Sequence, residues 1–290
     1  MIILDGFPTL YEDELLYSGL ARYFVITLPT YINHVSAQIP YSLGYTNDHL
    51  IVNHTLFNFL TAFMSSDSAA YYYEQMSNPN STHNNSNTTS KLLNVPFLRY
   101  CPICMESDYK LHGETYWHRS HQISLLNVCF RHRVFLVNSS VQGKRQGNLV
   151  SASKAIRDKV SPVYLNPDDP SDSGRYKLAE GAYWLLTHPK VHAIRERYRR
   201  VISIRKNMDA QTFSPRKLIS NANAVLTQSN LPKIALGSGN FLAMERTSFQ
   251  ELIIPDRPMF NLMLLYGLDV DIVKFLSEDI NATYSKFQEG

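Results

Sequence analysis

Cysteine is scarce in this sequence, with three in 290 residues. An odd number this small cannot build a disulfide framework, so a reducing compartment, the cytoplasm, is expected. Long apolar runs are missing as well. No stretch is long enough to span a bilayer, and the start, Met1 to Gly6, has neither a basic segment nor the apolar run of a secretory signal. No membrane partner is expected. Charge of one sign is lacking too: the net charge is only +3. Binding to nucleic acid, if it occurs, must come from a local patch and not from bulk charge. The common catalytic signatures are absent: there is no H-E-x-x-H, no G-x-x-x-x-G-K-[ST] and no G-x-S-x-G. Leu236-Gly-Ser-Gly-Asn240 lacks the flanking strand and the later glycine of a dinucleotide loop, and reads as a turn. The expectation is a protein that is not an enzyme.

What little cysteine there is falls in one pattern. Cys101-Pro-Ile-Cys104 and Cys129-Phe-Arg-His132 form a C-x2-C pair and a C-x2-H pair. Each pair lets two side chains reach one ion from a tight turn, and together they fill a tetrahedral zinc shell. A filled shell leaves no open position for water or substrate, so Cys101, Cys104, Cys129 and His132 are read as ligands of a structural zinc. The insert between the pairs is long for a small finger that docks alone in a DNA groove, and favours a zinc-braced subdomain of a larger fold. His118 and His121 lie within that insert. They are read as surface or supporting histidines, with an extra ligand or a nuclease-type general base as the sharper alternative.

The rest is expected to be mainly α, around a small zinc-braced α/β subdomain. Residues 1–76 read as an N-terminal helical domain, 77–90 as a flexible linker, 91–150 as the zinc-binding subdomain, with ribbon-like knuckles, and 151–290 as a C-terminal helical region. Thr9 as a cap, Glu12 three residues later and the stripe Leu15, Leu16, Leu20, Tyr23 predict a helix over 9–28, closed by Pro29. Further helices are predicted over 30–37 and from Thr46 to about His54, with Phe57, Phe59 and Phe63 forming an aromatic cluster. The linker is almost purely Ser, Asn, Thr and His, and lacks the apolar groups needed to offset the entropy of ordering. Strands are expected over 125–128 and 134–137, a basic turn at Lys144 and Arg145, and helices over 153–159, 175–186, 189–206, 214–228, 249–253 and from Pro258 to Tyr266.

The helix over 190–206 is one-sided in charge. Val191, Ile194, Tyr198 and Val201 make a core-facing stripe. Lys190, Arg195, Arg197, Arg199, Arg200, Arg205 and Lys206 stand against a single acid, Glu196. Arginine forks suit backbone phosphate, and the same surface suits an acidic protein partner. With 214–228 this helix reads as a helix-turn-helix.

Several stretches, in order, resemble the TniQ/TnsD family of target-selection proteins of Tn7-like transposons. Phe7 to Tyr23 is similar to its F-P-x-P-Y-x-x-E-L-L-Y-S-x-x-A-R opening, with Leu10 in place of the second proline. His54-Thr-Leu-Phe-Asn-Phe59 resembles H-T-L-F-P-x-Y, with Asn58 in place of proline. Arg99 to Cys104, Gly113-Glu-Thr-Tyr-Trp-His118 and Cys129 to His132 resemble the family's zinc core, and Pro258 to Gly267 its late apolar helix. The resemblance implies a non-enzymatic adaptor that marks an insertion site and recruits the AAA+ ATPase TnsC. One branch reads a fixed attachment site in DNA; the other docks on an RNA-guided Cascade effector. The length favours the second branch and the N-terminal and zinc motifs favour the first. A zinc-dependent nucleic-acid-processing enzyme is a further alternative, and monomer and homodimer both stay open.

Overall fold

The computed structural model describes residues 7–27, 46–77, 95–143, 149–188, 194, 198, 201, 215–234 and 257–277. The linker call at 77–90 lies outside them except for Ser77, as do the helices expected over 30–37 and 249–253, the basic turn at Lys144 and Arg145, and every basic residue of the 190–206 helix. The chain divides into two compact units, one of Met1–Asn58 with Ala70–Leu165, the other of Phe59–Ala69 with Asn166–Gly290. Its described residues are mostly helical and hold two small two-stranded sheets.

Helix α1 spans Leu16–Thr27 and does not start at Thr9. Residues 7–15 are not helical, because Asp13 takes a left-handed conformation (φ 60) and Glu14 pairs as an isolated bridge with His118. A buried carboxylate at each of these two positions is worth more in the tertiary network than in a helical first turn. Helix α2 (Asn47–His54) starts as expected, its cap Thr46 accepting a hydrogen bond from the His49 amide at 3.1 Å. Two further helices, α3 (Phe57–Thr61) and α4 (Ser66–Ser77), follow. The predicted aromatic cluster is divided: Phe57 stands edge-on to Tyr73, and Phe63 edge-on to Tyr198.

Strand β1 (Phe97–Tyr100) leads into helix α5 (Pro102–His112). Proline at the first helical position needs no backbone N–H there, and Gly113 ends the helix at φ 74, a conformation that favours glycine. A 3-10 turn (Ser120–Gln122) precedes β2 (Val128–Cys129), β3 (Val134–Phe135) and β4 (Val137–Gln142). The strand expected over 125–128 is shorter than the pattern implied, because Leu125 sits exposed at φ 69. β1 pairs antiparallel with β4 (Arg99↔Asn138, Tyr100↔Val137), and β2 with β3 (Cys129↔Val134). A buried core of Leu15, Val95, Leu98, Tyr100, Met105, Trp117, Ala152 and Ile156 includes residues of β1, with Val137 and Val141 of β4 packed against it. Ala152 belongs to the short helix α6 (Ala152–Ala155).

The second unit is helical among its described residues. Helix α7 (Pro170–Thr187) is capped by Asp169, whose carboxylate accepts from the Ser171 amide. Helix α8 (Pro215–Gln228) buries Leu218, Ile219, Ala222 and Leu226 on one face. Asn223 then holds the chain after it, exchanging two hydrogen bonds with the Ile234 backbone at 2.7 and 3.1 Å. Helix α9 (Pro258–Gly267) is apolar all round and buried on nearly every side, with Leu262, Leu264 and Leu265 fully enclosed, as such a sequence requires. Helix α10 (Ile272–Ser277) follows. Within the expected basic helix, positions 194, 198 and 201 are helical, and Ile194 and Tyr198 are fully buried.

Candidate metal centre and the network around it

Cys101 sits just before α5 and caps it, its sulfur accepting from the Cys104 amide at 3.5 Å. Cys104 lies in the first turn of that helix, where the exposed N–H groups favour a thiolate. Cys129 ends β2, and a tight turn closed by the Arg133 amide on the Cys129 carbonyl (2.9 Å) swings His132 back toward it. Arg133 takes φ 52 to allow this. The three cysteines are buried and pack with Val134, Ile103 and Leu136. Their sulfurs and one His132 nitrogen all lie within 4.8 Å of one another. His132 Nδ1 stands 3.5, 3.2 and 3.7 Å from the sulfurs of Cys101, Cys104 and Cys129, and the last two sulfurs are 3.8 Å apart.

These separations fit a tetrahedral ion. Metal–sulfur bonds of about 2.3 Å and metal–nitrogen bonds of about 2.0–2.1 Å imply sulfurs about 3.8 Å apart and nitrogen about 3.5 Å from sulfur. The electrostatics point the same way. Hydrogen bonds from Cys104 and Cys129 draw the Cys101 thiol down, while contacts with Cys101 and Cys129, and burial, push the Cys104 thiol up. Three buried thiols this close cannot all ionise unless a cation lies among them. The four residues are thus brought together in an arrangement that could hold a metal ion, and the ligand set is soft enough for zinc.

Around the centre lies a buried polar network that the spacing of the sequence did not reveal. His118 is buried, with Nε2 3.0 Å from Asp108 and Nδ1 3.5 Å from Asp13. Burial alone would lower its pKa, but the hydrogen bonds to Asp108 and Asp13 outweigh it and raise it to about 9. The Asp13 carboxyl, penalised by burial, is held low by His118, Ser120 and Arg119. Arg119 donates to the carbonyls of Val52 and Thr55 at 2.7 and 3.1 Å. His54 in turn bonds the Glu14 carbonyl through Nδ1 at 2.8 Å. Its pKa falls to about 4, chiefly through burial.

Glu14 and Arg22 form a buried two-pronged ion pair at 2.8 and 2.9 Å. Arg22 also reaches Glu114 at 2.6 Å and covers the Tyr11 ring at 4.2 Å. Trp117 is fully buried: its amide donates to Ser18 Oγ and its indole to the Val150 carbonyl, while its own carbonyl accepts from Leu15. The stretches Phe7–Tyr23, His54–Phe57 and Gly113–His118 therefore interlock as one structure. Their joint occurrence in the sequence was the available signal.

His121 is buried beside the centre, with Nε2 3.8 Å from the Cys104 sulfur. Arg99 runs under the loop before β2, donating to the carbonyls of Ile123 and Leu126; burial lowers its pKa to about 10, so it stays charged at neutral pH. His118 and His121 are thus neither surface groups nor accessible bases. No helix among the described residues is long and apolar enough to cross a membrane.

A comparison with curated proteins finds no match. Residues 24–136 match the TniQ family model. The match covers the His54–Phe59 element, both knuckles and the Gly113–His118 stretch; the opening Phe7–Tyr23 and the helix at Pro258 fall outside it. Over those residues the chain is similar to a TniQ domain, a domain associated with Tn7-like transposition.

Proposed function

We propose that this chain is a target-site selection adaptor, without catalytic activity of its own, that engages target DNA or an RNA-guided Cascade effector and recruits the AAA+ regulator TnsC. The TniQ match over residues 24–136 carries the reading, because it spans both knuckles and the Gly113–His118 stretch that packs against the N-terminal segment. The metal is zinc in a structural role: its four ligands complete a tetrahedron and leave no open position for a reacting water. The enzyme alternative has little support, since His118 and His121, its only candidate bases, are both buried, and His118 is committed to two carboxylates. A reducing, cytoplasmic setting keeps three thiols available to the ion.

The test is co-purification of the tagged chain with TnsC, in parallel with a gel shift on attachment-site DNA. Retention of TnsC supports the adaptor. Strong, sequence-specific DNA binding by the isolated chain favours the attachment-site branch. Absence of both TnsC retention and effector binding would overturn the proposal.

A further inference from the structure

His121 is fully buried, and its Nδ1 has no hydrogen-bond partner. Its other ring nitrogen, Nε2, lies 3.8 Å from the sulfur of Cys104. A neutral imidazole carries its proton on one nitrogen only. With the proton on Nδ1, a buried N–H would go unsatisfied, and the Nε2 lone pair would face sulfur lone pairs. With the proton on Nε2, an N–H points at a thiolate and only an acceptor is left bare. Both comparisons favour the second form. The neighbouring ring of His118, 4.7 Å away and held between Asp13 and Asp108, stands against a second proton on His121. Cys101, Cys104, Cys129 and His132 already supply four ligand atoms, so His121 is not needed to complete the shell.

We infer that His121 is a positioning residue of the metal centre, donating an Nε2–H hydrogen bond to the Cys104 thiolate and so holding that sulfur on the ion. The inference rests on the proposal that the centre holds a divalent ion. Three thiolates on one such ion leave an excess negative charge, and a fixed neutral donor offsets it without adding a charge. The bond withdraws electron density from the sulfur, so Cys104 should resist thiol-directed attack.

The test uses the 290-residue chain loaded with cobalt(II) in place of zinc, with three variants: His121→Phe, His121→Gln and His121→Asn. Phenylalanine keeps the ring and removes the donor. Glutamine can place an amide N–H near the position of Nε2; asparagine is too short. The expected result is one metal per chain in the wild type and a shifted sulfur-to-cobalt charge-transfer band in His121→Phe and His121→Asn. Affinity in those two, measured against a competing chelator, should fall about 10-fold. His121→Gln should restore both readouts toward wild type. Unshifted bands and unchanged affinity in metal-loaded His121→Phe would overturn this inference and leave the metal reading standing. So would equal behaviour of the Gln and Asn variants, which also decides the matter should the Phe variant not fold. A wild type that takes up no metal would instead overturn the metal reading, and this one with it.

Discussion

Single residues in this protein matter most where charge is buried. Cys104 stands against the Cys129 sulfur and the His132 nitrogen, in the first turn of α5. Cys104→Ala is expected to lose the metal altogether, where the wild type should hold about one zinc per chain by elemental analysis. Structural zinc contributes about 10–16 kcal/mol in small peptide sites, as much as the whole stability of many domains, so the variant should unfold and not merely soften. A metal-free variant with a wild-type melting curve would contradict the site.

His118 gives a pH test. Its folded pKa, about 9, lies above the ordinary histidine value of 6.5. The stabilisation from its paired, protonated form is therefore complete below about pH 6.5 and is lost as pH rises through about 9. The size is on the order of 3 kcal/mol at most, from the 1.4 kcal/mol that accompanies each pKa unit. Asp108→Asn removes the 3.0 Å partner. Urea titrations should show it less stable than wild type at pH 6, with a flatter loss between pH 7 and 10. Parallel curves for the two proteins would show that the pair contributes nothing to the linkage.

At the scale of elements, the second unit tests close packing. A methyl group added at Gly267 would meet the Cα and Cβ of Ala222 at 2.6 Å, backbone of α8 that cannot rotate away. Helices α8 and α9 can approach this closely only because glycine stands there. Gly267→Ala should cost about 1–3 kcal/mol through overpacking, read as a lower urea midpoint with an unchanged helical circular dichroism signal. An unchanged midpoint would mean that α9 can shift without cost.

For the molecule as a whole, the question is which surface meets the partner. Ile194 and Tyr198 are buried, as the stripe Val191, Ile194, Tyr198, Val201 requires of its two middle members. The arginines spaced between them are the residues to change. A triple Arg195, Arg199, Arg200→Ala variant should bind DNA or an RNA-containing effector more weakly, with a salt dependence shallower by roughly one unit per lost phosphate contact. Its stability should barely differ, since exposed charges contribute little. Loss of TnsC retention with DNA binding intact would assign the surface to an acidic protein partner, and no change in either assay would return it to a solvated face.

The sequence by itself did not point to the helix from Pro102, but it pointed to the four knuckle residues that the fold brings together, the helix starts at Thr46 and Pro215, and the buried helix from Pro258. Each of these is local. Ligand spacing, a capping side chain, a proline at a first helical position and an unbroken apolar run act over a few residues and are legible there. Only the tertiary structure decided where α1 begins, because Asp13 and Glu14 leave the helical pattern to meet His118 and Arg22, partners near and far along the chain. It also turned His118 from a polar residue between two knuckles into a buried cation shared by two carboxylates, and brought His121 to the Cys104 sulfur. A pattern of polar residues cannot show which of them meet. That depends on the fold bringing distant segments together and removing water from between them, and both happen only when the chain is packed.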